Sequence, residues 1–229
     1  MWVVVAAALV FASWPALTTA KQAQSLSGTA EQSRLLAQGR ALLAQHNASD
    51  AISRYFDVVI AHFESAYIGT SPRVYCARYA PEAMQYMLSA TRTRQRAIVL
   101  PPTWADAYFM RSYALTELGR SREAKDALLR ALALSPSNSQ YLSELGHLHQ
   151  RNHDWAESVK SFQSAAAATQ LIPEGEERVG ELGKALRGEA FSRVEMRDYA
   201  SAIELYRACL ALNPRDAVAR SQLKLLTER

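Results

Sequence analysis

Through most of this chain apolar residues return every three to four positions, separated by short polar turns, which predicts a succession of short amphipathic helices. The segments that close the hydrophobic stretches repeat: ALLRALALSPSN ends one and YRACLALNPRD another. Pro102, Pro136 and Pro214 stand 34 and 78 residues apart, one period of 34 and then two such periods plus ten residues. In that register a small residue recurs at Ala51, Ala90, Ala124, Ser158 and Ala202, and again at Val58, Ala97, Ala131, Ala165 and Cys209. Between these columns fall the large side chains Tyr55, Leu128, Phe162 and Tyr206, with Arg94 as the exception. Earlier in each unit Leu35, Val74, Tyr108, Leu142 and Leu186 are followed four residues later by Gly39, Arg78, Ser112, Gly146 and Ala190, most of them small.

Two helices can cross closely only where a hydrogen or methyl group lies at the crossing and a larger neighbour fills the space beside it. Each unit therefore reads as two antiparallel helices, with Gly119–Arg120–Ser121 and Asp198 marking the turns within a unit and the prolines closing the second helix. The stretches GRSREAKDALLRALALSPSN and RDYASAIELYRACLALNPRD in particular resemble tetratricopeptide repeats, a 34-residue helix-turn-helix family. That resemblance implies an all-α fold, a right-handed superhelical stack of antiparallel helix pairs. It divides the chain into two degenerate repeats over 32–104, two clear repeats over 105–172, an insertion at 173–182, a clear repeat at 183–216 and a capping helix at 217–229. In the degenerate pair, Pro81 interrupts a first helix and Arg94 replaces a core residue. The charge pattern of PEGEERVGEL starts the helix that opens the last unit early, near Glu174.

Residues 1–17, MWVVVAAALVFASWPAL, form an apolar run followed by Thr18, Thr19 and Ala20 and then by the polar 21–31, KQAQSLSGTAE. The run is short for a membrane span of about 20 residues, so 1–20 reads as a signal peptide, with an uncleaved anchor as the alternative, and 21–31 as a flexible leader. A net charge of +4 is too mild for a nucleic-acid coat, and two cysteines exclude a disulfide-built fold. The whole surplus is matched by residues 71–100, where Arg73, Arg78, Arg92, Arg94 and Arg96 face Glu82 alone; this is a solvated face or a contact for an acidic partner or anionic lipid.

No catalytic or cofactor motif survives inspection. Gly183–Lys184 lacks the glycine and hydroxyl that a phosphate loop requires at Arg178 and Ala185. His149 and His153 share a helical face, as zinc ligands do, but the register turns His149 to its partner helix and sets His153 in the turn, so no metal site is expected. Cys76 and Cys209 lie in units too far apart in a linear stack to bridge.

Function is expected instead on the concave side, which the first helix of each unit lines in the family resembled. Carrying its groove columns over gives Leu36, Tyr75, Phe109, Ser143 and Arg187 in one row and Arg40, Tyr79, Tyr113, His147 and Phe191 in the next. Tyr75 with Tyr79 and Phe109 with Tyr113 are i, i+4 pairs fit to anchor a peptide, and Arg151 and Arg187 are placed to hold acidic groups. Phe109 and Tyr113 occupy the places of the Lys and Asn with which one subgroup clamps carboxylate tails, so that mode is not expected. The reading is thus a non-enzymatic, exported scaffold, periplasmic or secreted, binding a protein or peptide in the groove at Tyr75, Tyr79, Phe109, Tyr113, His147, Arg151, Arg187 and Phe191. No cofactor or nucleic acid is implied, and a membrane is involved only if 1–17 is retained. The alternatives are a tethered envelope component or, further off, a metal-binding or enzymatic protein.

Overall fold

The computed structural model describes residues 17–228, with side chains from residue 29; most of the expected signal or anchor segment and Arg229 lie outside the described residues. Among the described residues no helix is long and apolar enough to cross a membrane. Helix α1 (Leu17–Ala44) runs straight through 21–31, the stretch expected as a loose leader. It pairs with α2 (Ala48–Ala51) and α3 (Asp57–Tyr67), which are joined by a π turn at Ile52–Phe56. The following pairs are α5 (Thr103–Glu117) with α6 (Ser121–Leu134), α7 (Ser139–Arg151) with α8 (Trp155–Ala168), and α9 (Glu176–Glu195) with α10 (Tyr199–Leu212); α11 (Ala217–Thr227) packs on the last. The result is a helical solenoid of helix pairs.

Residues 71–104 depart from the helix pair expected there. They form strand β1 (Arg73–Cys76), helix α4 (Ala80–Arg92) and strand β2 (Ala97–Leu100), with the strands parallel in the register Arg73 to Ala97 through Cys76 to Leu100. The local chemistry explains it. RVYC and AIVL are rich in β-branched and aromatic side chains, Pro72 precedes the first, Pro101 follows the second, and Pro81 sits in the first turn of α4, where a missing N–H costs nothing. Parallel strands need a crossover of about a dozen residues, which α4 supplies. The stack bypasses this excursion: α5 packs directly on α1 and α3. The misfits Arg78 and Arg94, both charged in columns of small or core residues, belong to the unit that is not a helix pair.

The crossing rule holds along the stack. A methyl group added to Gly146 would stand 2.8 Å from the Phe162 ring, and one added to Gly188 2.3 Å from it, so the Phe162 ring is wedged between α7 and α9. Leu128, Phe162 and Tyr206 are buried as their column requires, but in the first pair the π turn adds a residue, and the knob against Gly39 is Phe56 (0% exposed) rather than the half-buried Tyr55. The main core runs from Leu36 and Val59 through Trp104, Leu115 and Leu128 to Tyr141. A second core forms around Ala190, Tyr206 and Cys209, and a third, of Tyr75, Tyr86 and Ala90, lies within the excursion.

Every turn inside a pair closes the same way. His46, Gly119, His153 and Arg197 take φ of 60°, 73°, 60° and 63°, and the following N–H reaches back five residues: Asn47 to Leu42, Arg120 to Leu115, Asp154 to His149 and Asp198 to Arg193, at 2.8–3.2 Å. These are Schellman caps, in which the left-handed residue is best a glycine. Arg197 is exposed, so Arg197→Gly relieves a left-handed penalty of about 1 kcal/mol and is expected to raise Tm by about 2–4 °C in a thermal melt.

Candidate peptide-binding groove

The first helices α1, α5, α7 and α9 stand in sequence along the stack, and a ladder of polar contacts ties three of them. Arg40 Nη2 lies 2.8 Å from Asp106 Oδ2, and the Tyr141 hydroxyl donates to Asp106 Oδ1. Of the eight residues expected to face a guest chain, two are core. Tyr75 lies on β1 rather than on a helix, 5% exposed, its ring stacked 5.0 Å from that of Tyr86, and Tyr79 is the N-cap residue of α4. The i, i+4 pair expected of them does not exist, because the backbone between them is not helical: the strand ends at Cys76 and a bend follows. Phe109 is 1% exposed with its ring 4.4 Å from that of Tyr141; with the excursion out of the stack, α5 packs directly on α1 and α7, and the ring fills that space.

Of the others, Tyr113, His147, Arg151, Arg187 and Phe191 stand on the wall of first helices α5, α7 and α9, and the polar side chains among them are engaged. The half-buried Tyr113 donates its hydroxyl to Glu144 at 2.8 Å, and Arg151 approaches the same carboxylate at 3.8 Å. Burial first, then the Glu144 charge, pushes the Tyr113 phenol well up, so it remains a hydrogen-bond donor at any physiological pH. His147 sits 3.0 Å from Gln150 and edge-on to Phe162, while the Gln150 amide donates to Gly188 O and Ser192 Oγ on α9, both at 2.9 Å. Arg187 is ion-paired with Asp216. Phe191 is left 43% exposed, touched edge-on by Trp155.

One rim of this wall is closed by a cluster that the repeat pattern did not reveal. Arg78, between β1 and α4, donates to Glu181 at 2.7 Å, reaches Ser139 at 3.3 Å and approaches Glu177 at 3.8 Å, while its backbone N–H donates to Glu82 at 2.7 Å. Tyr79 donates to Glu177, and Ser139 to Glu181. Burial, then the bond to Glu177, pushes the Tyr79 phenol up to about 12. The excursion is thereby clasped to α7 and to the first turns of α9. Those turns are available because α9 begins at Glu176, inside the ten-residue insertion. The partners are 61 and 103 residues from Arg78, a separation that leaves no local signal; only the misfit of Arg78 in its small-residue column points to it.

The opposite rim is open. Between α6 and the end of α7 lies a cleft of about 380 Å³ lined by Thr116, Ser121, Arg122, Lys125, Leu148, Arg151 and Asn152. Three cations border it and no acid does, and among the described residues the Arg122 and Lys125 side chains have no ion pair. Among the described residues no three His, Cys, Asp or Glu side chains are grouped to hold a metal ion. His153 is the left-handed turn residue, and His149 lies 3.7 Å from Asp154. Cys76, on β1 rather than in a helix, and Cys209 are unbridged and buried, and burial pushes their thiols up to about 12 and about 11.

The tetratricopeptide repeat model matches residues 105–138 and 192–216. Among solved structures, pilF of Pseudomonas aeruginosa aligns with 85% of this chain and 67% of its own, at 15% identity and a TM-score of 0.58. The N-terminal domain of stress-induced protein-1 from C. elegans covers 55% of this chain and 96% of its own, at 17% identity and TM-score 0.49. The TPR domain of Arabidopsis OM64 covers 55% and 95%, at 16% and 0.47. A search of curated protein sequences finds no match. At these identities the likeness concerns the fold alone. Repeats of this kind indicate a protein–protein interaction scaffold, a fold typically without enzymatic activity. Helix pairs recurring at this spacing, small residues at the crossings and two stretches matched by the repeat model identify tetratricopeptide repeats within this chain.

Proposed function

We propose that the chain is an exported adaptor that holds a segment of another polypeptide over the open rim, where α5 and α7 end. Arg151, Arg122 and Lys125 receive a carboxylate of the guest, and Phe191 offers it an apolar contact. The observation that carries this reading is the cationic cleft without an acid in its lining, beside a wall whose other polar groups are already satisfied internally. Arg122 and Lys125, without an ion pair among the described residues, converge on one cleft with Arg151, which stands 3.8 Å from Glu144; together they favour a charge-assisted bond to a carboxylate, and a large exposed ring contributes binding area at small rotamer cost. Export rests on the apolar run of residues 1–17 and the small, polar residues that follow it.

Arg151 and Phe191 are exposed, so Arg151→Glu with Phe191→Ala is expected to leave the helical signal and Tm unchanged. The double variant is expected to lower partner recovery in the native host at least tenfold, measured with a photo-crosslinking residue placed at the exposed Asn152 in the cleft lining. Undiminished crosslinking with intact helicity would remove the open rim as the binding surface, and a mature N-terminus other than one near Lys21 would remove the export assignment.

A further inference from the structure

The excursion carries a surface that neither the stack nor the groove uses. On α4 the buried residues are Glu82, Tyr86 and Ala90, four apart, and they define the inward stripe. Met84, Met87 and Leu88 fall on the opposite side of the helix and are 66%, 44% and 52% exposed. The outermost line of this helix is thus apolar, the reverse of the usual polarity of a surface helix. Beside its C-terminal end stand Arg92, Arg94 and Arg96, joined by Arg73 from β1, all exposed. Among the described residues none of these four side chains has an ion pair or hydrogen bond; Arg73 lies over the Tyr75 ring at 5.1 Å. Arg73, Arg94 and Arg96 border a cleft of about 400 Å³ with Thr70, Ser71 and Gln95. The one acid in residues 71–100, Glu82, is fully buried and held by Arg78.

We propose that α4 and its arginine collar dock on an anionic lipid bilayer, Met84, Met87 and Leu88 entering the boundary between headgroups and acyl chains while Arg73, Arg92, Arg94 and Arg96 meet lipid phosphates. An apolar helical face flanked by cations has the polarity of an interfacial helix. The shape favours lipid over a peptide: α4 is backed by β1 and β2 and presents a ridge, and a ridge gives a peptide no walls, whereas a bilayer yields around it. Charge disfavours a second copy of the chain, since symmetric pairing of this face sets four arginines against four. The surface is separate from the open rim, and its failure would leave the adaptor reading untouched.

The test places an environment-sensitive fluorophore on Met87→Cys in the full chain; labelling is selective because Cys76 and Cys209 are buried. With phosphatidylcholine vesicles containing phosphatidylglycerol the emission is expected to move to shorter wavelength, with phosphatidylcholine alone it is expected to stay, and high salt is expected to reverse the shift. Arg92→Gln, Arg94→Gln and Arg96→Gln together are expected to weaken the anionic-vesicle response about a hundredfold, from roughly fivefold per arginine. A probe at Leu129 of α6, also exposed, is expected not to respond. The proposal is overturned if the Met87 probe is silent on anionic vesicles, even when residues 1–17 carry the protein to them. It is equally overturned if the Leu129 probe responds alike or the triple variant binds as before. A response without vesicles, on raising protein concentration or adding an acidic helical peptide, would assign the face to a second copy or to a protein partner instead.

Discussion

Replacing Arg78 by alanine is expected to cost about 3 kcal/mol of folding stability at neutral pH, while Glu82→Gln costs less than about 1 kcal/mol. The asymmetry follows from burial. Glu82 is wholly buried and Arg78 nearly so, at 13% side-chain exposure, and without the guanidinium the Glu82 carboxylate keeps only the backbone N–H of residue 78 as a charge-stabilising partner. Glu181 and Glu177 lose their shared cation in the same step. Removing the carboxylate charge instead leaves Arg78 bonded to Glu181, so Glu82→Gln introduced into the Arg78→Ala background is expected to recover most of the loss. Burial raises the Glu82 carboxyl above its ordinary 4.5, against the pull of the Arg78 backbone N–H and guanidinium. A carboxyl raised in the folded state contributes stability that is complete below 4.5 and is lost as pH rises through the raised value. The penalty of Arg78→Ala is therefore expected to be smaller at about pH 5 than at pH 7, because acid favours the protonated Glu82, which needs its partner less. Urea titrations of the four proteins at both pH values check this. Equal penalties at both, with no recovery in the double variant, would show that Arg78 is not clasping a buried charge. Because the clasp joins the excursion to α7 and α9, the same variant is expected to expose the excursion to proteolysis first.

A second large effect is expected from one substitution made at two places on α9. Gly180→Ala should stabilise the protein by about 1 kcal/mol, since a helix prefers alanine and nothing stands within 4 Å of the added methyl group. Gly188→Ala gains the same helical preference, yet its methyl group would stand 2.3 Å from the Phe162 ring, and a net loss of about 2 kcal/mol is expected. The ring cannot retreat: it is 0% exposed, with Gly146 on its far side and the His147 ring against its edge. Phe162→Leu in the Gly188→Ala background should restore part of the loss by shortening the wedge, whereas Phe162→Ala alone costs about 3–5 kcal/mol by leaving a void. Tm and urea midpoints measure all four. A stabilised Gly188→Ala would mean that α7, α8 and α9 do not meet around this ring. The consequence reaches the surface proposed for binding, because the Gln150 contacts to Gly188 and Ser192 join α7 to α9.

Five of the expected groove residues stand on helices that the register placed, and two of the other three fall in one segment. Tyr113, His147, Arg151, Arg187 and Phe191 lie on helices whose crossing residues the 34-residue period placed, so their places on those helices follow from periodicity. The same period places Tyr75 on a helix, but it belongs to a strand, because the β-branched and aromatic character of RVYC and AIVL outweighs a register that only Val74, Ala90 and Ala97 support. Phe109 lies where the register puts it, but whether a ring on the inner wall is free or covered depends on how tightly its neighbours pack. That depended on the removal of residues 71–104 from the stack, which no local pattern records.

What the chain's own order of residues determined is the succession of helix pairs, because a small residue at each crossing, a left-handed turn within each pair and a proline between pairs act within a few residues of one another. Tertiary structure alone decided which pairs are neighbours, that Arg78 closes one rim through Glu181 and Ser139, and that the other rim stays open beside Arg122, Lys125 and Arg151. Those outcomes rest on contacts between residues up to about a hundred positions apart, whose pairing is chosen by the burial of charge and the fit of whole helices rather than by any preference of the segments themselves.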